Sequence, residues 1–268
     1  MNSKYNQVTF EPSMNVLHRA ATGGNDVLWD WQPMEIPNGT CLIKSLAGTI
    51  AGVDGAVGNG IDLNLYFATS LKGVAPASFG TAHAVNTATI TAAFRRNLLG
   101  FMALDMSSVD DGDALRGYHV IGSRSQAAGD ATSDGGFNEH TFLQAEETPF
   151  IGNSTYTATT PGYQTIWVAA IATGVAFSFS TEVDLDNTSD VDADMTGASV
   201  QIDTQGTDPR IVFQPGDLIK GHTGGPTMEV VSVDSAVLMT VKNISEQIDD
   251  NEELLMQAPI SLKFGLEY

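Results

Sequence analysis

The chain has 268 residues, enough to bury a full hydrophobic core as one large all-β domain or as a medium-sized domain with a smaller companion. Its 32 acidic against 12 basic residues give a formal charge of −20, which argues against the basic, counterion-displacing surface of a nucleic-acid binder and against anionic membranes. A single cysteine, Cys41, excludes an intrachain disulfide framework, and no segment approaches the roughly 18 to 20 unbroken apolar residues of a membrane span. Strong acidity favours solubility and tolerance of high salt. The N-terminal stretch lacks the apolar centre of a signal peptide, so the expectation is a soluble protein made in a cytoplasm.

Residues 1–25 are polar and irregular and read as an N-terminal arm or edge element. From Asp26 the pattern becomes strand-like: Val27, Trp29 and Trp31 alternate with Leu28 and Asp30, and after Pro33 and Pro37 the pair Asn38-Gly39 supplies a tight turn. A further strand runs from Cys41 to Ala51, with Cys41 and Ile43 opposite in phase to Leu42 and Lys44; the cysteine reads as a small buried thiol. Gly52, Gly55, Gly58 and Gly60 lead into a strand and not a helix, so they read as a hairpin loop and not as a dinucleotide cradle. In the strand that follows, Ile61, Leu63, Leu65 and Phe67 share one face, with Asp62, Asn64 and Tyr66 on the other. Ile90, Phe94, Leu98 and Phe101 or Met102 recur at helical spacing, which predicts a short amphipathic helix over 89–102 with Arg95 and Arg96 in solvent. Residues 105–136 read as loop, suited to a binding surface.

The strongest strand signal lies over 163–185, where Val175, Phe177, Phe179, Thr181, Val183 and Leu185 alternate with Ala176, Ser178, Ser180, Glu182 and Asp184. After an acidic run, strand patterns resume near Ser199 and Arg210. Pro215-Gly216-Asp217 then introduces one short apolar strand, and Gly224-Gly225-Pro226 turns the chain into another over 228–233. The closing segment alternates cleanly, Ile260, Leu262, Phe264, Leu266 and Tyr268 against Ser261, Lys263, Gly265 and Glu267, and such a strand must pair with something. Strands separated by Gly, Asn, Asp and Pro turns predict the all-β class, an antiparallel β-sandwich of jelly-roll type with a smaller C-terminal β-barrel or hairpin module. The expected division is an arm at 1–25, the sandwich at 26–186 and the module at 187–268, its terminal strand able to rejoin the sandwich.

Candidate chemistry is sparse. His18, His83, His119, His140 and His222 are scattered without HxH or HExxH spacing, and no nucleophile elbow or phosphate-binding lysine motif is present. One constellation has a physical case: Asp184, Asp186, Asp190, Asp192 and Asp194 could gather hard oxygen ligands for Ca²⁺, against the alternative of a solvated acidic loop. Glu146-Glu147, Asp249-Asp250 and Glu252-Glu253 read as charged turns. Trp29, Trp31 and Trp167 are candidates for stacking on sugars, although their apolar surroundings point to core packing. No catalytic residue, organic cofactor or enzymatic activity is expected.

Residues 26–31 with the Pro/Asn-Gly turn after them, residues 61–70, and the run 215–250 together resemble virion structural proteins of marine tailed phages, of the cyanophage-like capsid decoration or cement type. The stretch PGDLI…GGPTMEV is also similar to small bacterial proteins of pattern GDxV…SGGPxMTV, with Ile219 and Glu229 in place of valine and threonine. That similarity implies an SH3-like barrel for this part alone. The phage resemblance implies a non-enzymatic protein that binds the outer capsid surface and braces neighbouring capsid subunits. Its partner would be the major capsid protein, and its state a homo-oligomer such as a trimer. It would bind neither nucleic acid nor membrane, and would reside on the virion after synthesis in the host cytoplasm. Two alternatives remain: a tail, baseplate or receptor-binding virion protein, and a carbohydrate-binding β-sandwich. The segment 260–268 is the expected inter-subunit or intersheet strand.

Overall fold

Alternation of apolar and polar side chains decides which segments pair and which faces are buried. The computed structural model describes residues 4–14, 25–51, 62–71, 75–78, 80–82, 84, 96–104, 111–112, 115–121, 142–144, 159–173, 179–186, 199–222, 227–242 and 251–268. Every ladder between two strands among them is antiparallel, and a single parallel bridge joins Val27 to Ala82. One sheet joins β1 (Tyr5–Phe10), β16 (Ile260–Glu267), β3 (Cys41–Ala51), β7 (Leu115–Ile121) and β6 (Asp111–Gly112) in that order, with β8 (Phe142–Leu143) also paired to β3. A second sheet has the order β2 (Val27–Pro37), β9 (Tyr163–Thr173), β4 (Asp62–Ala68) and β5 (Leu98–Leu104).

These two sheets stack face to face. Leu63, Leu65 and Phe67 of β4 and Ile166, Val168, Ala170 and Ala172 of β9 meet Ile260, Leu262, Phe264 and Leu266 of β16 in one apolar layer. Phe67 and Phe264 make its centre, edge to face at 5.9 Å. Burying each large side chain stabilises the fold by about 1.5–3 kcal/mol. The second sheet is covered on its other face as well: Val27, Trp31, Ala68, Trp167, Ala169 and Ile171 form a separate cluster against Ala75. Trp31 Nε1 donates to the carbonyl of Ala77 at 3.0 Å, holding that cover in place. Burial on both faces explains why β9 reads as an unbroken apolar run and not as an alternation.

The third sheet forms the C-terminal module, in the order β10 (Val183–Leu185), β11 (Ser199–Gly206), β14 (Leu238–Lys242), β13 (Met228–Ser235), β12 (Leu218–Gly221) and β15 (Leu254–Met256). Its first and last strands return to one another. Asp184 bridges Glu253, Leu185 N–H donates to the Glu252 carbonyl at 3.0 Å, and Asn251 N–H donates to the Leu185 carbonyl at 3.1 Å. The sheet wraps its own core, which includes Val183, Ile202, Phe213, Ile219, Met228, Val230, Met239 and Val241. Two irregularities in β13 bend it around that core.

Several expectations change. Of the two readings of the N-terminal segment, arm or edge element, the second fits β1, laid beside β16 at the edge of the sandwich. Val183 and Leu185, on the sandwich side of the expected division at 186/187, pair with β11 and bury with the residues of the third sheet. The terminal strand β16 rejoins the sandwich, as its alternation allowed, and is held between β1 and β3 of its own chain, which leaves it no free edge for an inter-subunit ladder. The predicted helix over 89–102 is replaced from Leu98 onward by β5, whose Met102 enters the intersheet core opposite Leu65. The alternation predicted over 175–185 fails at Glu182, which turns with φ +53°, so strand geometry begins only at Val183. Within β2, register shifts between Val27 and Trp29 and between Trp29 and Gln32 send Trp29 into the intersheet core and Trp31 to the opposite face. A shift in β3 beside Lys44 likewise moves the inward phase from Cys41 and Ile43 to Leu46.

Candidate docking groove

A groove of about 600 Å³ opens where the C-terminal module meets the sandwich. One wall is the short helix α1 (Pro209–Val212), whose start is written in the sequence: Asp208 caps it and Pro209 occupies its first turn. Asp208 accepts from Arg210 N–H at 2.9 Å and, through both carboxyl oxygens, from the Arg210 guanidinium at 2.6–3.1 Å. The side-chain hydrogen bonds from Arg210 hold the Asp208 carboxyl below the usual carboxylate range and raise the guanidinium in turn. Phe213 is buried at the end of the helix, which leaves Ile211 57% exposed on the groove side.

A tight turn follows. Pro215 at its second position and Gly216 with φ +97° at its third give the type II pattern, closed by Asp217 N–H donating to the Gln214 carbonyl at 3.1 Å. The Asp217 carboxyl accepts from Gln214 N–H at 2.8 Å. Burial is the largest influence on Asp217 and raises its pKa; Glu11 nearby acts in the same direction, while the bonds from Gln214 oppose it. Gly216 N–H donates to the Val230 carbonyl at 2.8 Å and Val230 N–H to the Asp217 carbonyl at 2.9 Å, tying the turn to β13.

The opposite wall belongs to the sandwich. Gln257 N–H donates to the Leu218 carbonyl at 2.8 Å and Met14 N–H to the Gln257 carbonyl at 3.0 Å, so the connector after β15 is fixed to both bodies. Ser261 Oγ donates to Glu11 at 3.1 Å, and Lys263 stands exposed on the outer face of β16. The groove therefore offers two exposed apolar side chains, Ile211 and Leu218, framed by Arg210 and Lys263 and by Glu11 and Asp217. Apolar centre and mixed-charge rim suit recognition of a protein surface.

The residues singled out in the sequence lie elsewhere. Asp184 stands opposite Gln205 in the β10–β11 ladder and Asp186 just beyond it, its N–H donating to the Asp203 carbonyl at 3.1 Å. Asp190, Asp192 and Asp194 lie outside the described residues, as do His18, His83, His140, Glu146, Glu147, Asp249, Asp250 and the Gly224-Gly225-Pro226 turn. Among the described residues no three His, Cys, Asp or Glu side chains are grouped to hold a metal, and no helix is long and apolar enough to cross a membrane. Trp29, Trp31 and Trp167 are buried, at 2%, 9% and 8% exposure, so none presents a ring to a sugar.

Glu252 and Glu253, expected as a charged turn, are both buried. Glu252 packs its carboxyl over Gly221, where a Cβ would meet it at 2.6 Å. Glu253 Oε1 accepts from Ser180 Oγ at 2.5 Å, Thr181 N–H at 2.8 Å and Glu182 N–H at 3.1 Å. It fastens the entry of β10 to β15 where the sheet edges meet. His222 N–H donates to the Glu253 carbonyl at 2.9 Å, placing the histidine at the same seam. No family model, curated protein or solved structure matches the chain.

Proposed function

We propose that this chain is a virion structural protein that binds the outer surface of an assembled capsid and braces neighbouring capsid subunits. The observation that carries this reading is the amphipathic groove between two β bodies, with Ile211 and Leu218 exposed inside a rim of mixed charge. Its occupant would be a surface element of the major capsid protein. The finer architecture that goes with this reading is a jelly-roll-like sandwich bearing a small β-barrel, the barrel presenting one wall of the groove. The high negative charge keeps such a protein dispersed until it meets its shell.

Imaging of purified particles labelled with antibody to this chain tests the reading. Label distributed over the head supports it; label confined to the tail or baseplate favours the alternative placement; absence from particles refutes a virion role. A double substitution, Ile211→Asp with Leu218→Asp, should abolish capsid binding while leaving a folded protein, since both side chains already face solvent.

A further inference from the structure

We infer that β1 is an inter-subunit strand, through which two copies of this chain pair edge to edge about a two-fold axis with Gln7 opposite Gln7. Among the described residues β1 is paired only with β16. The phase of that ladder is fixed by Lys4 and Tyr268, which exchange both backbone hydrogen bonds at 3.1 and 3.0 Å. Residues 4, 6, 8 and 10 therefore direct their backbone groups to β16, and Tyr5, Gln7 and Thr9 direct theirs to the open edge.

Those three residues are exposed, Tyr5 by 70%, and they are symmetric about Gln7. A two-fold axis normal to the sheet keeps opposed side chains on one face, so residues of equal parity must meet: Tyr5 with Thr9, Gln7 with Gln7. Every outward N–H and C=O of the strand then finds a partner. In the single chain the Gln7 N–H donates to Asn6 Oδ1 at 3.0 Å, a contact between neighbouring exposed groups that pairing would exchange for the partner's carbonyl. Open edges are ordinarily guarded by lysine, proline or a bulge. Here the six residues YNQVTF carry no charge, no proline and an unbroken register, and the charges that flank them, Lys4 and Glu11, fall opposite Phe10 and residue 3 of a second copy and so meet no like charge. A second copy can approach this edge without placing like charges opposite one another, and the self-complementary register favours it over a foreign strand. This inference stands apart from the capsid reading and holds wherever the protein resides.

The test uses the full chain bearing Gln7→Cys, because the native Cys41 is buried. Opposed hydrogen-bonded residues lie about 5.5 Å apart at Cα, within disulfide reach. Oxidation should give a covalent dimer in about ten-fold greater yield than for Tyr5→Cys, whose copies would stand four residues, or about 14 Å, apart. Mixing Tyr5→Cys with Thr9→Cys should restore the crosslink. Thr9→Pro removes an outward donor that β16 does not use, so it should convert the dimer to monomer in sedimentation and leave the urea midpoint unchanged when both proteins are measured at a dilution where the wild type is itself monomeric. A wild-type monomer at about 100 µM, where micromolar pairing would be saturated, overturns the inference. Equal crosslinking at positions 5 and 7 overturns it too, as does a dimer that survives Thr9→Pro.

Discussion

Glu253→Ala should unfasten the C-terminal module at its seam. The carboxyl oxygen receives one hydroxyl and two backbone N–H groups from residues 180–182, and alanine leaves those donors without an acceptor in a buried place. Each orphaned buried donor costs about 1–3 kcal/mol, so the two backbone groups together set a loss of about 2–6 kcal/mol. Glu253→Gln retains the accepting oxygen and should lose no more than about 1 kcal/mol. Urea unfolding followed by two probes locates the effect. All three tryptophans, Trp29, Trp31 and Trp167, lie in the sandwich, so their fluorescence reports that body, while far-ultraviolet circular dichroism reports both. In the alanine variant the dichroism should fall at lower urea than the fluorescence. An alanine variant within about 0.5 kcal/mol of wild type would refute the assignment of Glu253 as the fastening group.

Gly206→Ala should destabilise by more than Gly39→Ala, although both glycines have positive φ; a Cβ at 206 would collide with the Glu182 carbonyl oxygen, whereas nothing lies within 4 Å at 39. Chemical denaturation should give about 1–2 kcal/mol for Gly39→Ala and clearly more for Gly206→Ala. Burial pushes the Cys41 thiol up to about 11, and its Sγ donates to the Pro37 carbonyl at 3.2 Å, so an aromatic disulfide reagent at pH 8 should label it only after unfolding. For Asp217 the folded-state pKa lies above the ordinary 3.8, so its contribution favours the folded state at low pH and is lost as pH rises through the raised value. Asp217→Asn should flatten that part of the stability–pH curve, measured as urea midpoints between about pH 3 and 7, and should be neutral or stabilising at pH 7.

Much of the strand pattern could be read from residues alone. Leu63, Leu65 and Phe67, and Ile260 through Leu266, keep strict period two, and their buried faces are those the alternation assigns. Bulges were not readable, since one inserted residue changes the face of all that follow without altering composition; Trp29 and Leu46 show this. The helix expected over 89–102 arose from a spacing shared by both periods. Leu98 and Met102 are four apart, and a register shift between Phe67 and Ala68 places them on opposite faces of β5's sheet. In the groove, Pro215-Gly216 was visible as a turn, but the residues near Arg210 read as strand where Asp208 and Pro209 start a single helical turn, too short to show a helical period. Their convergence with Glu11 and Lys263 was not visible, because it depends on β16 returning to the sandwich. Glu253 was missed for a similar reason: its partners lie more than 70 residues away, and an adjacent acidic pair ordinarily marks a solvated turn.

The seam at Glu253 also changes how the sandwich can assemble. Between the end of β9 and the start of β16 the chain runs about 86 residues, a long loop to close before β16 can pair with β3 and β1. The module occupies that interval and is built largely from neighbouring strands, so it can form early. Once it has, Thr181 Oγ1 holds the Leu254 carbonyl at 2.6 Å, and the span left to order falls to about 14 residues. The entropy of closure drops by about 1.5 kcal/mol, and the search for β16's slot becomes local. The module thus serves as a splint, shortening the path by which the two sides of the sandwich find each other.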